Sequence, residues 1–240
     1  MKKVWVLVVL VLLSGCNNPD GPHNSHFIDN NDYGFIYHVI DREVEIVRVI
    51  ESKKNTMKKL IVPSKIDNYP VKSIASNAFI DCVIEEVLFD EECLLESIGK
   101  SAFSDCKKLK YIEIPKSVKV IGEDAFYNCE AMESLVFSSS SNLEMIGSNA
   151  FVGNVSLGYI DFPQKLKLIG DECFLDCESL IEVNFFSQIE TIGYMAFSNA
   201  IHLEINFMEL ETIPDTFVHD WNLSSNLCDN GTYYIGYNFK

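Results

Sequence analysis

The chain has 240 residues, 48% of them hydrophobic and 22% charged, so it is not a disordered polypeptide and is long enough to bury a sizeable core. Its formal charge of −16 gives it a surface that repels nucleic acid phosphates and anionic lipid headgroups. Nucleic acid is therefore excluded as the expected partner, and a basic membrane-binding patch is excluded with it.

Residues 1–15 read as an export signal: Lys2 and Lys3 are followed by an apolar run from Val4 to Leu13 that is much shorter than the roughly 20 residues a bilayer span needs. Leu13-Ser14-Gly15-Cys16 resembles a bacterial lipobox, which implies cleavage before Cys16 and lipidation of that residue. The alternative is a plain secretory signal in which Cys16 stands by chance. With a lipid on Cys16, the chain is expected outside the cell as a membrane-anchored lipoprotein that reaches the bilayer through its lipid alone. Residues 16–32 are dense in Asn, Asp, Pro and Gly and read as a flexible tether. His23 and His26 form a His-x-x-His pair there, too loosely held for a metal site. Residues 33–56 alternate, with Phe35, Tyr37 and Val39 on one face, a polar turn at Asp41-Arg42, then Val44 and Ile46. This predicts a β-hairpin that caps the core end behind it.

Residues 57–223 repeat. An Ile is followed five residues later by Phe in Ile74/Phe79, Ile98/Phe103, Ile121/Phe126, Ile146/Phe151, Ile169/Phe174 and Ile192/Phe197, with a shortened copy at Ile213/Phe217. Upstream of these pairs lie apolar triplets such as Leu109, Ile112, Ile114 and Leu157, Ile160, Phe162, some followed by Pro. Another apolar residue stands three positions before each repeat Ile, as Val71, Leu95, Val118, Leu143, Leu166, Ile189 and Leu210. The full motif over about 23 residues is Leu-x-x-Ile-x-Ile-Pro-x-x-Val-x-x-Ile-Gly-x-x-Ala-Phe-x-x-Cys. Its first segment is a strand with one buried face, Pro ends that strand, Gly suits a bend, and Ala leaves room for the Phe ring. A unit this small cannot bury its own apolar face, so seven such turns must stack as a solenoid. Residues 90–94 and 138–142 each carry two extra positions and should bulge from the stack. Cys93 in the first loop is expected to be an exposed thiol. The serine run in the second is either a tolerated insertion or a recognition loop. Trp221 and Leu223 can close the last coil, and residues 224–240, with Tyr233, Ile235, Tyr237 and Phe239 alternating, predict a C-terminal β cap or, alternatively, an aromatic ligand platform.

Written out in this way, the repeat resembles the BspA-like, or Treponema-type, leucine-rich repeat family over roughly residues 33–221. The segment from Val62 to Val71 looks like that family's entry turn. The resemblance implies an α/β-type leucine-rich repeat solenoid, a right-handed coil of about seven turns with parallel strands. It also implies a surface or secreted protein of bacteria or some protists, in a family whose members are described as adhesins for host matrix proteins or other cells.

Eight cysteines in an exported chain first suggest a disulfide framework. Cys82, Cys106, Cys129 and Cys177, however, fall three residues after the repeat Phe, where Asn154 and Ala200 stand in other turns, so the position reads as a small inward site with reduced thiols. Consecutive turns lie close enough that distance alone leaves a bond between neighbours open. Cys173 replaces the Ala before Phe174 and reads as core. His38, His202 and His219 have no matched nucleophile, and the chain has no nucleophile elbow, zincin motif, phosphate loop or dinucleotide fingerprint. No enzyme, metal or cofactor is expected. The remaining candidate is the outward face of the repeat strands: Glu86, Leu88, Tyr111, Glu113, Ser134, Val136, Tyr159, Asp161, Glu182, Asn184, Glu204 and Asn206. Stacking would make these a continuous acidic stripe with two tyrosines, suited to a protein or glycan partner; the plain alternative is that they only keep the solenoid soluble. The expected function is a lipid-anchored surface binding or adhesion module, with a structural envelope lipoprotein or assembly subunit as the other reading.

Overall fold

In a computed structural model that describes residues 26–30, 33–138, 140–187, 189–208 and 232–234, the alternating N-terminal segment is an antiparallel sheet. Strand β1 (His26–Asn30) pairs with β2 (Phe35–Ile40), and β2 with β3 (Glu43–Val49). Asp41 and Arg42 have φ of 50° and 67°, the left-handed pair that a tight hairpin turn between twisted strands requires. Residues 26–30, at the end of the expected tether, form a backbone ladder with β2. Residues 1–25, with the export signal and Cys16, lie outside the described residues.

After α1 (Glu51–Lys54), the one helix among the described residues, each turn contributes a longer strand and, across the coil, a shorter one. The first turn has β4 (Lys59–Val62), then β5 (Lys65–Ile66) paired with β6 (Tyr69–Ile74). Turns two to six have β7 (Glu86–Phe89) and β8 (Ser97–Ile98), β9 (Tyr111–Ile114) and β10 (Val120–Ile121), β11 (Ser134–Phe137) and β12 (Met145–Ile146), β13 (Tyr159–Phe162) and β14 (Leu168–Ile169), and β15 (Glu182–Phe185) and β16 (Thr191–Ile192). The seventh begins with β17 (Glu204–Phe207), on which β18 (Thr232–Tyr234) lies antiparallel. The short strands stack in parallel from β6 to β16, and β3 joins β6, so the hairpin extends this sheet. The longer strands form two sheets, β4-β7-β9-β11 and β13-β15-β17-β18. The described residues thus form a parallel β-solenoid with almost no helix. Phe217, Trp221, Leu223, Cys228, His219 and most of the expected C-terminal cap lie outside the described residues.

The core is a set of columns. Phe79, Phe103, Phe126, Phe151, Phe174 and Phe197 are fully buried. Their rings stack at 5.1 to 5.3 Å and within 11° of parallel. Phe35 of β2 meets Phe79 edge-on at 6.3 Å, which is how the hairpin closes the first coil. The segment that carries each Phe has a ladder of its own: the amide of Phe103 donates to Ala125 O at 2.7 Å, and that of Phe126 to Ala150 O at 2.8 Å. This ladder needs two left-handed residues per turn. One column is Asn77, Ser101, Asp124, Asn149, Glu172 and Met195, and the other is Asp81, Asp105, Asn128, Gly153, Asp176 and Asn199, all at positive φ. Asn and Asp dominate because their short side chains tolerate this region best after Gly.

The repeat glycines serve close approach more than bending. A Cβ on Gly122 would stand 2.7 Å from the Lys100 nitrogen, one on Gly147 2.6 Å from Glu123 N, and one on Gly170 2.4 Å from Ser148 N. The first turn can carry Ala75 in this column because a β3 strand, rather than another such bend, precedes it.

The cysteine column satisfies carbonyls. Cys106, Cys129 and Cys177 donate to the carbonyls of Phe79, Phe103 and Phe151 in the preceding turn at 3.2, 3.2 and 3.3 Å. Asn154 reaches Phe126 O at 2.9 Å in the same way. Burial pushes the Cys106 and Cys177 thiols up to about 12, which keeps them protonated donors. Cys82, Cys93, Cys106, Cys129, Cys173 and Cys177 are all free and buried. Cys93 therefore departs from its expected exposure. Its loop folds back so that the side chain is 5% exposed against the coil, and burial raises its thiol.

Candidate binding face

Parallel pairing puts the outward residues of successive long strands in register. Glu86 lies opposite Lys59 and Leu88 opposite Ile61; Ser134 and Val136 lie opposite Tyr111 and Glu113. Tyr159 and Asp161 face Glu182 and Asn184, which in turn face Glu204 and Asn206. Within each of the two sheets the expected stripe is therefore a continuous face. Tyr111, Glu113, Tyr159, Asp161 and Glu182 are exposed, and the other seven are half-buried. Lys59 and Ile61 belong to the same face and were not among the expected residues. Ile61 is 53% exposed, and Lys59 pairs with Glu86 at 3.1 Å. The signal was present in the first triplet Met57, Leu60 and Val62, whose flanking residues extend the same two columns.

The face has two halves of different chemistry. Over β13, β15 and β17 the carboxamides form a ladder: Asn184 Nδ2 donates to Asp161 Oδ1 at 2.8 Å and to Glu182 Oε1 at 3.0 Å, and Asn206 Nδ2 donates to Asn184 Oδ1 at 2.9 Å. These groups are partnered within the face. Over β7, β9 and β11 the surface is more apolar, with Leu88, Tyr111 and Val136, and Glu113 accepts from the Tyr111 hydroxyl at 3.3 Å. The ladder is interrupted between β11 and β13, next to the insertion at residues 138–142. Ser141 is buried in that insertion, where its hydroxyl accepts from the Leu143 amide at 3.2 Å. The insertions also alter the inner column. Phe89 and Phe137, which precede them, are only partly buried, whereas Ile114 and Phe162, which precede Pro115 and Pro163, are buried.

A second surface went unread in the sequence. Two residues before each repeat Ile stand Lys72, Glu96, Lys119, Glu144, Lys167 and Glu190, alternating in charge along the short-strand sheet. Glu96 accepts from Lys119 at 2.6 Å and also from Lys72, and Lys167 lies 3.7 Å from Glu190. Hydrogen bonds from Lys119 and then Lys72 hold the Glu96 carboxyl down at about 2. A folded-state value below the ordinary carboxylate range means that its contribution is complete above about pH 4.5 and is lost as pH falls toward 2. Because the Glu96 side chain is still 39% exposed, solvent screening should hold each pair below about 1 kcal/mol. With both pairs lost, Glu96→Gln should therefore lower Tm by no more than about 4–8 °C near pH 7. Thermal melts across pH should show the gap to wild type closing below about pH 4.

Among the described residues no group of three His, Cys, Asp or Glu side chains could hold a metal ion, and no helix is long and apolar enough to cross a membrane. His38 is engaged with Glu45 at 2.5 Å in the hairpin, and His202 is exposed.

A coil of parallel strands with a buried Phe ladder and one variable outward face is the architecture of a leucine-rich repeat protein. The family model described as "BspA type Leucine rich repeat region" matches residues 72–204 as six copies, more than half of the chain, and the chain belongs to that family. Among solved structures it is similar to the leucine rich repeat protein of T. pallidum, with 28% identity and a TM-score of 0.66 over 76% of this chain and 81% of that one. It is similar in fold to the pneumococcal vaccine antigen PcpA, with 19% identity and a TM-score of 0.53 over 80% of this chain and 71% of that one. A leucine rich cell surface protein of Faecalibacterium prausnitzii shares 20% identity at a TM-score of 0.54, over 78% of this chain and 54% of the other. A comparison with curated proteins finds no match.

Proposed function

We propose that this BspA-type repeat protein is a lipid-anchored binding module at the cell surface, in which Cys16 carries the lipid and the outward face of the long strands contacts a protein or glycan partner. The observation that carries this reading is the register of that face, which aligns variable acidic, aromatic and aliphatic side chains while the repeated residues point inward. A surface with exposed tyrosines and surplus carboxylates suits a partner that offers cations or stacking groups. The description of the Faecalibacterium prausnitzii neighbour as a cell surface protein agrees with this setting.

Reversing charge on the face tests the binding reading. Glu113→Lys with Asp161→Lys should reduce the adherence of cells that display the chain at least about tenfold, through loss of charge complementarity, with circular dichroism unchanged. Adherence equal to wild type would favour a structural envelope role. The anchor has its own test, since Cys16→Ala should move the protein out of the membrane fraction; retention there would refute lipidation at Cys16.

A further inference from the structure

The links from the long strands to the next buried column differ in length in an order that shapes the surface. Turns two and four, which run from Phe89 to Leu95 and from Phe137 to Leu143, are each two residues longer there than turn three, from Ile114 to Val118. Turn three is thus a short link between two long ones, and Asp90, Glu91 and Ser138 of the flanking links stand beside it. Turns five and six, with Phe162 to Leu166 and Phe185 to Ile189, are both short, so this arrangement is not repeated there. Over turn three lies a cavity of about 300 Å³. Tyr111, Glu113 and Lys116 line it from turn three, Leu88 and Glu91 from turn two, and Ser138 from turn four.

The lining is divided by chemistry. Leu88, Phe89 and Pro115 offer apolar surface, and Tyr111 offers a ring. Three carboxylates, Asp90, Glu91 and Glu113, stand against the single ammonium of Lys116. Asp90 is committed, since one of its oxygens accepts from the Ser64 amide at 2.8 Å, which also ties the bulge to turn one. Among the described residues Glu113 accepts only the long bond from Tyr111, at 3.3 Å. A volume at the lower limit of small-molecule pockets suits one inserted side chain rather than a whole ligand.

We propose that this cleft receives a single lysine or arginine side chain of a partner protein, the methylene stem against Leu88 and Pro115 and the cationic head between Glu91 and Glu113. This inference rests on the binding reading of the face and narrows it to one half and one partner chemistry. The excess of acceptors over donors selects a cation over a neutral sugar, and the Tyr111 ring adds a stacking surface that favours a guanidinium. The C-terminal half of the face, whose carboxamides are bonded to one another, contributes little to such recognition.

The test uses the full chain and two fluorescein-labelled peptides, Gly-Ser-Arg-Ser-Gly and its counterpart with neutral citrulline in place of arginine, with binding read by fluorescence anisotropy at low salt. The arginine peptide should bind at least about tenfold more tightly than the citrulline peptide, since only the first carries the charge. Glu91→Gln with Glu113→Gln should erase most of that difference. Glu144→Gln with Glu190→Gln, the same change in net charge on the short-strand sheet, should leave affinity within about twofold. No binding of the arginine peptide, equal binding of both peptides, or no response to the Glu91/Glu113 pair would overturn the cleft assignment. Equal weakening by both pairs would also overturn it, since net charge alone would then account for binding. Adherence that still falls in the Glu113→Lys/Asp161→Lys variant would in that case leave the wider face as a binding surface.

Discussion

Gly170→Ala is expected to destabilise the coil by about 3 kcal/mol or more, because the added Cβ meets backbone that has nowhere to move. It would stand 2.4 Å from Ser148 N and 2.7 Å from the Gly147 carbonyl carbon, inside the contact distance of any real Cβ. Relief would require turns four and five to separate, which would stretch both ladders that join them. In a stack where each repeat is stabilised by its neighbours, loss of one contact weakens both sides of the break. Gly158→Ala is the matched control. Nothing lies within 4 Å of its Cβ, so the substitution should be neutral or stabilising by about 0.4–1 kcal/mol through the unfolded chain. Urea unfolding of the two variants gives the comparison, and equal stability for both would contradict the close-approach role of the glycine column.

Phe126→Ala is expected to cost about 3–5 kcal/mol, the usual range for removing a fully buried aromatic ring. Phe126 stacks between Phe103 at 5.3 Å and Phe151 at 5.2 Å, so its loss leaves a void bounded by two rings fixed by their own turns. Phe137→Ala should cost clearly less, about 1–2 kcal/mol, because Phe137 is only partly buried beside the insertion. Chemical denaturation with a common m-value separates the two. A smaller loss for Phe126 than for Phe137 would mean that the coil interior is not held by this ladder.

Much of the fold was legible because solenoid packing repeats its demands. The spacing from Ile121 to Phe126 to Cys129 recurs wherever the same three side chains must point inward, and the outward columns could be counted from it. What escaped was set by contacts between turns rather than within one. Gly170 looks like a bend residue until the backbone of the preceding turn is seen 2.4 Å from its missing side chain. Cys129 looks like a filler until Phe103 O is found at 3.2 Å. Cys93 sits in a segment with every sign of an exposed loop, yet the bulge closes over it. The strand His26–Asn30 has only Phe27 and Ile28 between polar neighbours, too short an apolar run to announce a strand by itself, and it forms by pairing with β2. The alternating column from Lys72 to Glu190 was readable but lies among residues that apolar periodicity passes over. On the candidate face the columns were legible from the repeat, whereas the cleft over turn three depends on how two insertions flank a short link.

The most direct test of the central claim, that recognition belongs to the outward face and not to the repeated motif, is a pull-down of residues 17–240, which keep strand β1, against a panel of matrix proteins and glycans. It should be run beside the Glu113→Lys/Asp161→Lys variant. The account predicts a retained partner that the variant no longer holds, with both proteins equally folded. Retention unchanged by the two reversals, or no retained partner on any member of the panel, would contradict it.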